Sequence, residues 1–134
     1  MKNKNLLLTL VLMVIASLTL QLSAQDNIKT EALLTSKKWI CLDVSRAKLE
    51  KMDFRFEVGN ELSMRIDKKY SFKNNDYNFS AGTWKLDKKD LYFFYDDPEQ
   101  AGRKLSTHYR IQKIKPNMLV LKRMDRPKGK LTFK

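Results

Sequence analysis

Apolar and polar residues alternate along most of the chain after residue 38, and clusters of turn-forming residues separate the alternating stretches. In the clearest stretch, residues 81–87, Trp84 and Leu86 alternate with polar residues at the period of a half-buried strand. The polar break at 87–90 and the aromatic run at 91–95 complete a predicted hairpin with one apolar face. Gly82, just before the tryptophan, indicates a bulge or a close approach by another backbone.

Similar stretches flank this hairpin on both sides. Further strands are predicted over residues 39–44, 53–58, 62–66, 70–72, 77–79, 105–113, 118–124 and 131–133, with turns at 59–60, 74–76, 116–117 and 126–129. Residues 28–38 predict a short helical lead-in, and residues 45–51 are either a loop or one helical turn. Nine or ten short strands without a long helix or a repeat are typical of an antiparallel sandwich or barrel. A barrel is favoured because closure removes exposed sheet edges.

The first 24 residues have a different character. Lys2 and Lys4 precede an apolar run over residues 6–20, and Ala24 offers a small residue for cleavage, which is the pattern of a secretory signal peptide. We therefore expect an exported protein, periplasmic or secreted, with a single domain over residues 25–134. A retained membrane anchor is the alternative, because Leu22 is bulky for a cleavage motif. The run is shorter than the roughly 20 residues of a spanning helix, which favours cleavage.

Charge is distributed very unevenly after the signal sequence. Residues 25–102 carry 14 basic and 14 acidic residues, whereas residues 103–134 carry 11 basic residues and a single acidic one, Asp125. A general solubilising coat would be spread more evenly, so the basic C-terminal quarter indicates an attraction for anions. The lone cysteine, Cys41, excludes an internal disulfide. It is interpreted as a buried small hydrophobe, with a reactive or intermolecular thiol as the alternative.

Several short segments resemble the small lipocalin-like domains of secreted bacterial proteins. They are residues 34–39 ending in Trp39, Tyr70-Ser71-Phe72, Gly82-Thr83-Trp84-Lys85-Leu86 with Leu91, Tyr109-Arg110-Ile111, and Met118-Leu119-Val120-Leu121. The resemblance implies an all-β, eight-stranded, up-and-down antiparallel barrel that is closed at one end and often holds an apolar ligand. Lipocalins proper carry glycine where this chain has Lys37, and the arginine that covers their tryptophan could correspond to Arg123.

The resemblance implies that a small apolar or amphipathic ligand binds inside the barrel. The residues expected to line that pocket are Trp39, Met64, Phe72, Phe79, Trp84, Phe93, Tyr95 and Tyr109. An eight-stranded barrel is just wide enough to be filled by its own side chains or to hold one small ligand. A filled aromatic core is therefore an equal alternative.

The basic quarter supports a second hypothesis, an envelope interaction module. If the alternating apolar residues of the last three strands face inward, an outer patch forms from Arg110, Lys122, Lys130 and Lys134. Such a patch would attract an anionic lipid, an acidic polysaccharide or an acidic protein, with salt-dependent strength. A basic but merely solvated face is the alternative. Nucleic acid fits the charge but not the signal peptide.

Residues that could support catalysis or metal binding are scarce. His108 is the only histidine, and alternation places it on the face opposite Tyr109. One histidine and one cysteine cannot form a tetrahedral zinc site, and no nucleophile–base pair can be built without His108. The acidic loop at 96–102 lacks the ligand spacing of a calcium site. We predict a protein that is not an enzyme and needs no metal or cofactor.

Overall fold

The computed structural model describes residues 2–45, 57–73, 78–97, 99–126 and 128–134, and the side chains of all of these except residues 2–3 and 78–80. One helix and eight strands occur in this part of the chain: α1 (Lys2–Thr35), β1 (Lys38–Ser45), β2 (Glu61–Met64), β3 (Lys69–Lys73), β4 (Asn78–Asp87), β5 (Asp90–Asp96), β6 (Lys104–Lys115), β7 (Met118–Arg123) and β8 (Lys130–Phe133). Each strand pairs antiparallel with the next, and β8 pairs with β1. The predicted antiparallel barrel of eight strands is confirmed.

The antiparallel order gives the barrel two distinct ends. β1 begins directly after α1, so the connections that follow β2, β4 and β6 lie at the same end as the helix. We call this the helix end. The connections after β1, β3, β5 and β7 lie at the opposite end, which we call the far end.

The helix α1 is one continuous element of 34 residues, so the prediction of a short helical lead-in over residues 28–38 is wrong in extent. Its last turns cap the barrel: Leu34 is fully buried, and the Trp39 indole nitrogen donates a hydrogen bond to the Leu34 carbonyl at 3.0 Å. By length and composition the helix could cross a membrane, and a signal sequence would meet the same criterion. Its exposed apolar N-terminal part is consistent with a signal sequence, and cleavage after Ala24 stays a prediction.

Apolar side chains on the inner face of every strand form one continuous core. The register places Trp84 opposite Phe93 and Leu91 opposite Tyr109. Every second residue of a strand thus faces an inward residue of the neighbouring strand inside the barrel. Phe93 contacts the ring of Tyr109 edge-on, with centroids 5.9 Å apart. The core is thus built by the period-two alternation that the sequence displays.

The central hairpin, β4 and β5, follows its prediction closely. The two-residue turn at 88–89 joins the strands, and Leu91 and Phe93 face the core. Gly82 marks a close approach rather than a bulge, because a Cβ there would lie 2.0 Å from the Phe94 carbonyl oxygen. The pairing of β3 with β4 does contain a register shift, but it lies at the end of β3, between Phe72 and Lys73.

Two predicted strands differ from the structure. Residues 78–79 are the start of the ten-residue β4 rather than a separate strand, because β3 pairs with β4 along residues 78–83. Residues 46–56, which contain most of the predicted strand at 53–58 and the uncertain segment at 45–51, lie outside the described residues. The turn at Gly59 is present, and its amide donates to the Cys41 carbonyl at 2.8 Å, so Gly59 itself is hydrogen-bonded to β1.

Candidate anion-binding face

The residues predicted to line an interior pocket lie inside the barrel and pack against one another. Those at most 2% exposed are Trp39, Met64, Phe72, Trp84, Phe93 and Tyr109. Tyr95 is partly buried against the same cluster, and the side chain of Phe79 lies outside the described residues. The clefts of about 300 Å³ or more that described residues line lie on the outer wall or beside α1. The packing favours a filled interior at this level of the barrel, and an interior ligand stays a prediction.

The predicted outer cations lie largely together. Arg110 faces Lys122 across β6 and β7, and Lys122 faces Lys130 across β7 and β8. Facing residues have Cβ atoms about 5 Å apart, so these three exposed side chains form one line on the outer wall. We call Arg110, Lys122 and Lys130 the basic row. Lys134 follows the end of β8 at the helix end, about 13 Å along the strand from Lys130, so it lies outside the row.

A cleft of about 320 Å³ opens on the outer wall next to the basic row. Its lining consists of Ser45, Gln112, Lys122, Lys128, Gly129 and Lys130. Ser45 of β1 continues the line of the basic row, because it faces Lys130 across β8 and β1. Gln112 is the extra residue where the β6–β7 register shifts, and such a bulge redirects a side chain. We call this site the lysine cleft.

Positive charge in the lysine cleft is unbalanced. Among the described residues, no carboxylate lines the cleft, and none forms an ion pair with Lys122, Lys128 or Lys130. Other cations of the chain do have acidic partners, as in the pairs Lys68–Glu31, Arg103–Asp97 and Lys104–Asp96. Like charges held side by side on a sheet repel and destabilise it. Lys122 and Lys130 face each other in this way, so an anion bound between them would relieve their repulsion.

Arg110, at the other end of the basic row, is neutralised. Its Nε donates to Oδ1 of Asp90 at 2.9 Å, and its Nη2 donates to Oδ2 at 3.2 Å. His108 Nε2 lies 2.9 Å from the same Oδ1. The hydrogen bond from Arg110, and then that from His108, hold the pKa of the Asp90 carboxyl below its usual value. The excess charge of the row is thus concentrated at its lysine side.

His108 lies on the outer face, as predicted, and its ring stacks on Tyr92 with centroids 4.5 Å apart. Within the described residues, no group of three His, Cys, Asp or Glu side chains could hold a metal ion. Cys41 is fully buried, and burial raises the pKa of its thiol to about 11. The interpretation of Cys41 as a buried small hydrophobe is confirmed.

Arg123 does not cover Trp39. The cation over the Trp39 ring is Lys37, with its Nζ 5.0 Å from the ring centroid. Arg123 ends β7 at the far end, where it faces Tyr109 on the inner side of the barrel and is 9% exposed. Burial raises the pKa of Tyr109 to about 12 although Arg123 opposes the shift, so this phenol stays protonated at neutral pH.

Sequence reasoning missed Ser45, Gln112 and Lys128 as parts of the site. Lys128 was assigned only to a turn, although it belongs to the basic quarter, and that charge was the available signal. For Gln112 the available signal was a shift in the alternation, because the apolar residue after Ile111 is Ile114 and position 113 is a lysine. Ser45 is brought to the cleft by the pairing of β8 with β1, the contact that closes the barrel.

Comparisons with known proteins identify no homologue of this chain. No family model matches the chain, and neither a curated protein nor a solved structure shows significant similarity to it. The closed barrel is shown by its own strand pairing, whereas membership of a lipocalin-like family stays a prediction.

Proposed function

We propose that this is a non-enzymatic, exported barrel protein that docks onto an anionic component of the cell envelope through the basic row and the lysine cleft. The observation that carries the proposal is the cleft itself. It brings together Lys122 of β7, Lys130 of β8 and Lys128 of the segment before β8 around one concavity, without a carboxylate among the described residues that line it. A solvated basic surface would not need to gather its charges in this way.

The energetics of the cleft favour anion binding. An ammonium group about 4 Å from a unit negative charge gains roughly 1 kcal/mol in water, and several times more where water is partly excluded. Three lysines act on one bound anion, and the mutual repulsion of Lys122 and Lys130 is relieved at the same time. The strands fix the backbone positions of Lys122 and Lys130 before binding, so little backbone ordering is required there.

The N-terminus supports the compartment that the proposal requires. The apolar part of α1 is consistent with a signal sequence, and export would place the barrel among the anionic lipids and acidic polysaccharides of the envelope. Salt would weaken docking, because the cations of the basic row are exposed.

A ligand inside the barrel is the second candidate function, and one observation favours it. The Thr107 hydroxyl is buried on the inner face without a hydrogen-bond partner among the described residues. An unsatisfied buried hydroxyl costs about 1–3 kcal/mol, which a polar group of a ligand would recover. We place this function second because aromatic side chains fill the neighbouring interior.

The test compares two double charge reversals in the exported form of the protein, expressed from the full chain. Lys122→Glu with Lys130→Glu changes the lysine cleft, and Lys73→Glu with Lys85→Glu makes the same change in net charge on exposed positions of β3 and β4. Binding to vesicles that contain an anionic lipid is measured by co-sedimentation at two salt concentrations, with neutral vesicles as the reference.

We expect the cleft variant to bind at least tenfold more weakly and the β3–β4 variant to stay within about threefold of the wild type, since contact pairs are worth about 1 kcal/mol each. Higher salt should weaken the wild type strongly and the cleft variant little. Equal losses in both variants would refute docking through this face, because only net charge would then matter.

A further inference from the structure

We propose, as an extension that rests on the proposed function, that the lysine cleft is a binding subsite for a phosphate monoester. The ligand class follows from the charge, the donors and the size of the site. All of these concern the outer wall formed by β6, β7, β8 and the end of β1.

The charge of the cleft matches a dianion better than a monoanion. Lys122, Lys128 and Lys130 bring three positive charges, and no carboxylate of the described residues lines the cleft to offset them. A phosphate monoester carries about −1.5 to −2 at pH 7, because its second pKa is about 6. A carboxylate or a phosphate diester carries only a single negative charge, so either would leave more of the lysine repulsion uncompensated.

The donors of the cleft suit the three terminal oxygens of a monoester. Each ammonium group has three N–H donors, the Gln112 amide has two, and the Ser45 hydroxyl has one. Lysine binds phosphate as a point charge, whereas arginine provides a flat fork that fits carboxylate and phosphate alike. The one arginine of the basic row, Arg110, is engaged along its Nε–Nη2 edge by Asp90. The cations that line the cleft are lysines, whose ammonium groups suit a compact, highly charged anion.

The size of the cleft limits what enters it. A volume of about 320 Å³ lies at the lower end of small-molecule sites, which span roughly 300–1,000 Å³. It admits a phosphorylated head group or sugar phosphate but not a folded partner. Because the cleft opens on the outer wall, the remainder of the ligand would extend away from the barrel.

The first experiment is an NMR titration of the ¹⁵N-labelled exported protein with glycerol 3-phosphate, inorganic phosphate, dimethyl phosphate and acetate. We expect the two monoester-type ions to shift the amide signals of Ser45, Gln112 and Gly129 in a saturable way, with dimethyl phosphate and acetate at least tenfold weaker. Binding of glycerol 3-phosphate should strengthen between pH 5 and pH 7, as its second proton is lost.

Variants locate the effect within the cleft. Lys128→Gln should weaken glycerol 3-phosphate binding at least fivefold, whereas Lys113→Gln, an exposed β6 position outside the cleft, should leave it within twofold. Shifts spread over lysines throughout the protein, equal affinity for dimethyl phosphate, or no dependence on pH between 5 and 7 would each overturn the proposal.

The source of the monoester is separated by two vesicle types of equal anionic content. Phosphatidic acid presents a monoester, and phosphatidylglycerol presents a diester. Preference for phosphatidic acid vesicles supports a lipid source, and binding of glycerol 3-phosphate without that preference supports a soluble one. If both vesicles bind equally, the cleft reversal still abolishes binding and glycerol 3-phosphate shows no saturable shift, the monoester subsite is wrong and the proposed function stands.

Discussion

Replacing Lys122 by glutamine should stabilise the folded protein. Lys122 faces Lys130 directly across β7 and β8, and it shares the lysine cleft with Lys128. Glutamine keeps most of the side-chain length and removes the charge. The substitution thus removes two repulsive contacts from the folded state and leaves the core unchanged.

The size of this gain follows from the spacing of the charges. Facing Cβ atoms lie about 5 Å apart, so ammonium groups that splay outward are roughly 7 Å apart. Two unit charges at that distance in water repel by about 0.6 kcal/mol. With two neighbours, the free energy of unfolding should rise by about 1 kcal/mol at 10 mM salt, where screening is weak. Near 0.15 M salt the screening length falls to about 8 Å, and the gain should fall by about half.

Thermal denaturation followed by circular dichroism, in a phosphate-free buffer at 10 mM and 150 mM sodium chloride, measures this effect. For a domain of about 100 residues, 1 kcal/mol corresponds to a rise in Tm of roughly 4–8 °C. The matched control is Lys104→Gln, which removes an exposed β6 lysine paired with Asp96 and should leave Tm unchanged or lower it. A lower Tm for Lys122→Gln at 10 mM salt, or a gain that does not shrink with salt, would refute the reasoning.

Three further predictions concern the fold and the charges around the row. Gly82→Ala should cost about 2–4 kcal/mol in urea denaturation, because its Cβ would lie 2.0 Å from a backbone oxygen of β5 and must force the strands apart; a cost below about 1 kcal/mol would contradict the close approach. Asp90→Asn should lower stability at pH 7 and strengthen vesicle binding, because it releases Arg110. The pKa of Asp90 is lowered in the folded state, so its contribution is present above about pH 4 and lost as pH falls further; equal destabilisation at pH 7 and pH 2 would argue against the ion pair. The thiol of Cys41 should stay unmodified by a thiol reagent at pH 8 until urea unfolds the protein, since its pKa is about 11 and it is fully buried; labelling of the folded protein, detected by mass spectrometry, would show the burial to be wrong.

Much of the barrel could be predicted because period-two alternation is a local signal. The central hairpin shows this best, since the inward positions of Trp84 and Phe93 follow from their own neighbours in the chain. The extent of α1 could not be predicted in the same way. The boundary expected at Ala24 is a cleavage site for the signal peptide and does not end a helix. The helix continues past it because residues of adequate helix propensity follow.

The candidate site could be predicted only in part, for a similar reason. The outward positions of Arg110, Lys122 and Lys130 follow from alternation, and their alignment follows from three consecutive antiparallel strands. The cleft depends on the bulge at Gln112, which a shift in the alternation indicates, and on the non-local closure of β8 onto β1 at Ser45. The neutralisation of Arg110 is also non-local, since Asp90 lies one strand away on β5. A single sequence contains the residues of such contacts but not their register.

The central claim, docking through the outer wall, is tested most directly by native mass spectrometry of the exported protein purified from its own envelope at low and at high salt. The account predicts an anionic, phosphate-containing adduct at low salt that is lost at high salt and is absent from the Lys122→Glu, Lys130→Glu variant. A lipophilic adduct that survives high salt and persists in that variant would contradict it and would place the ligand inside the barrel.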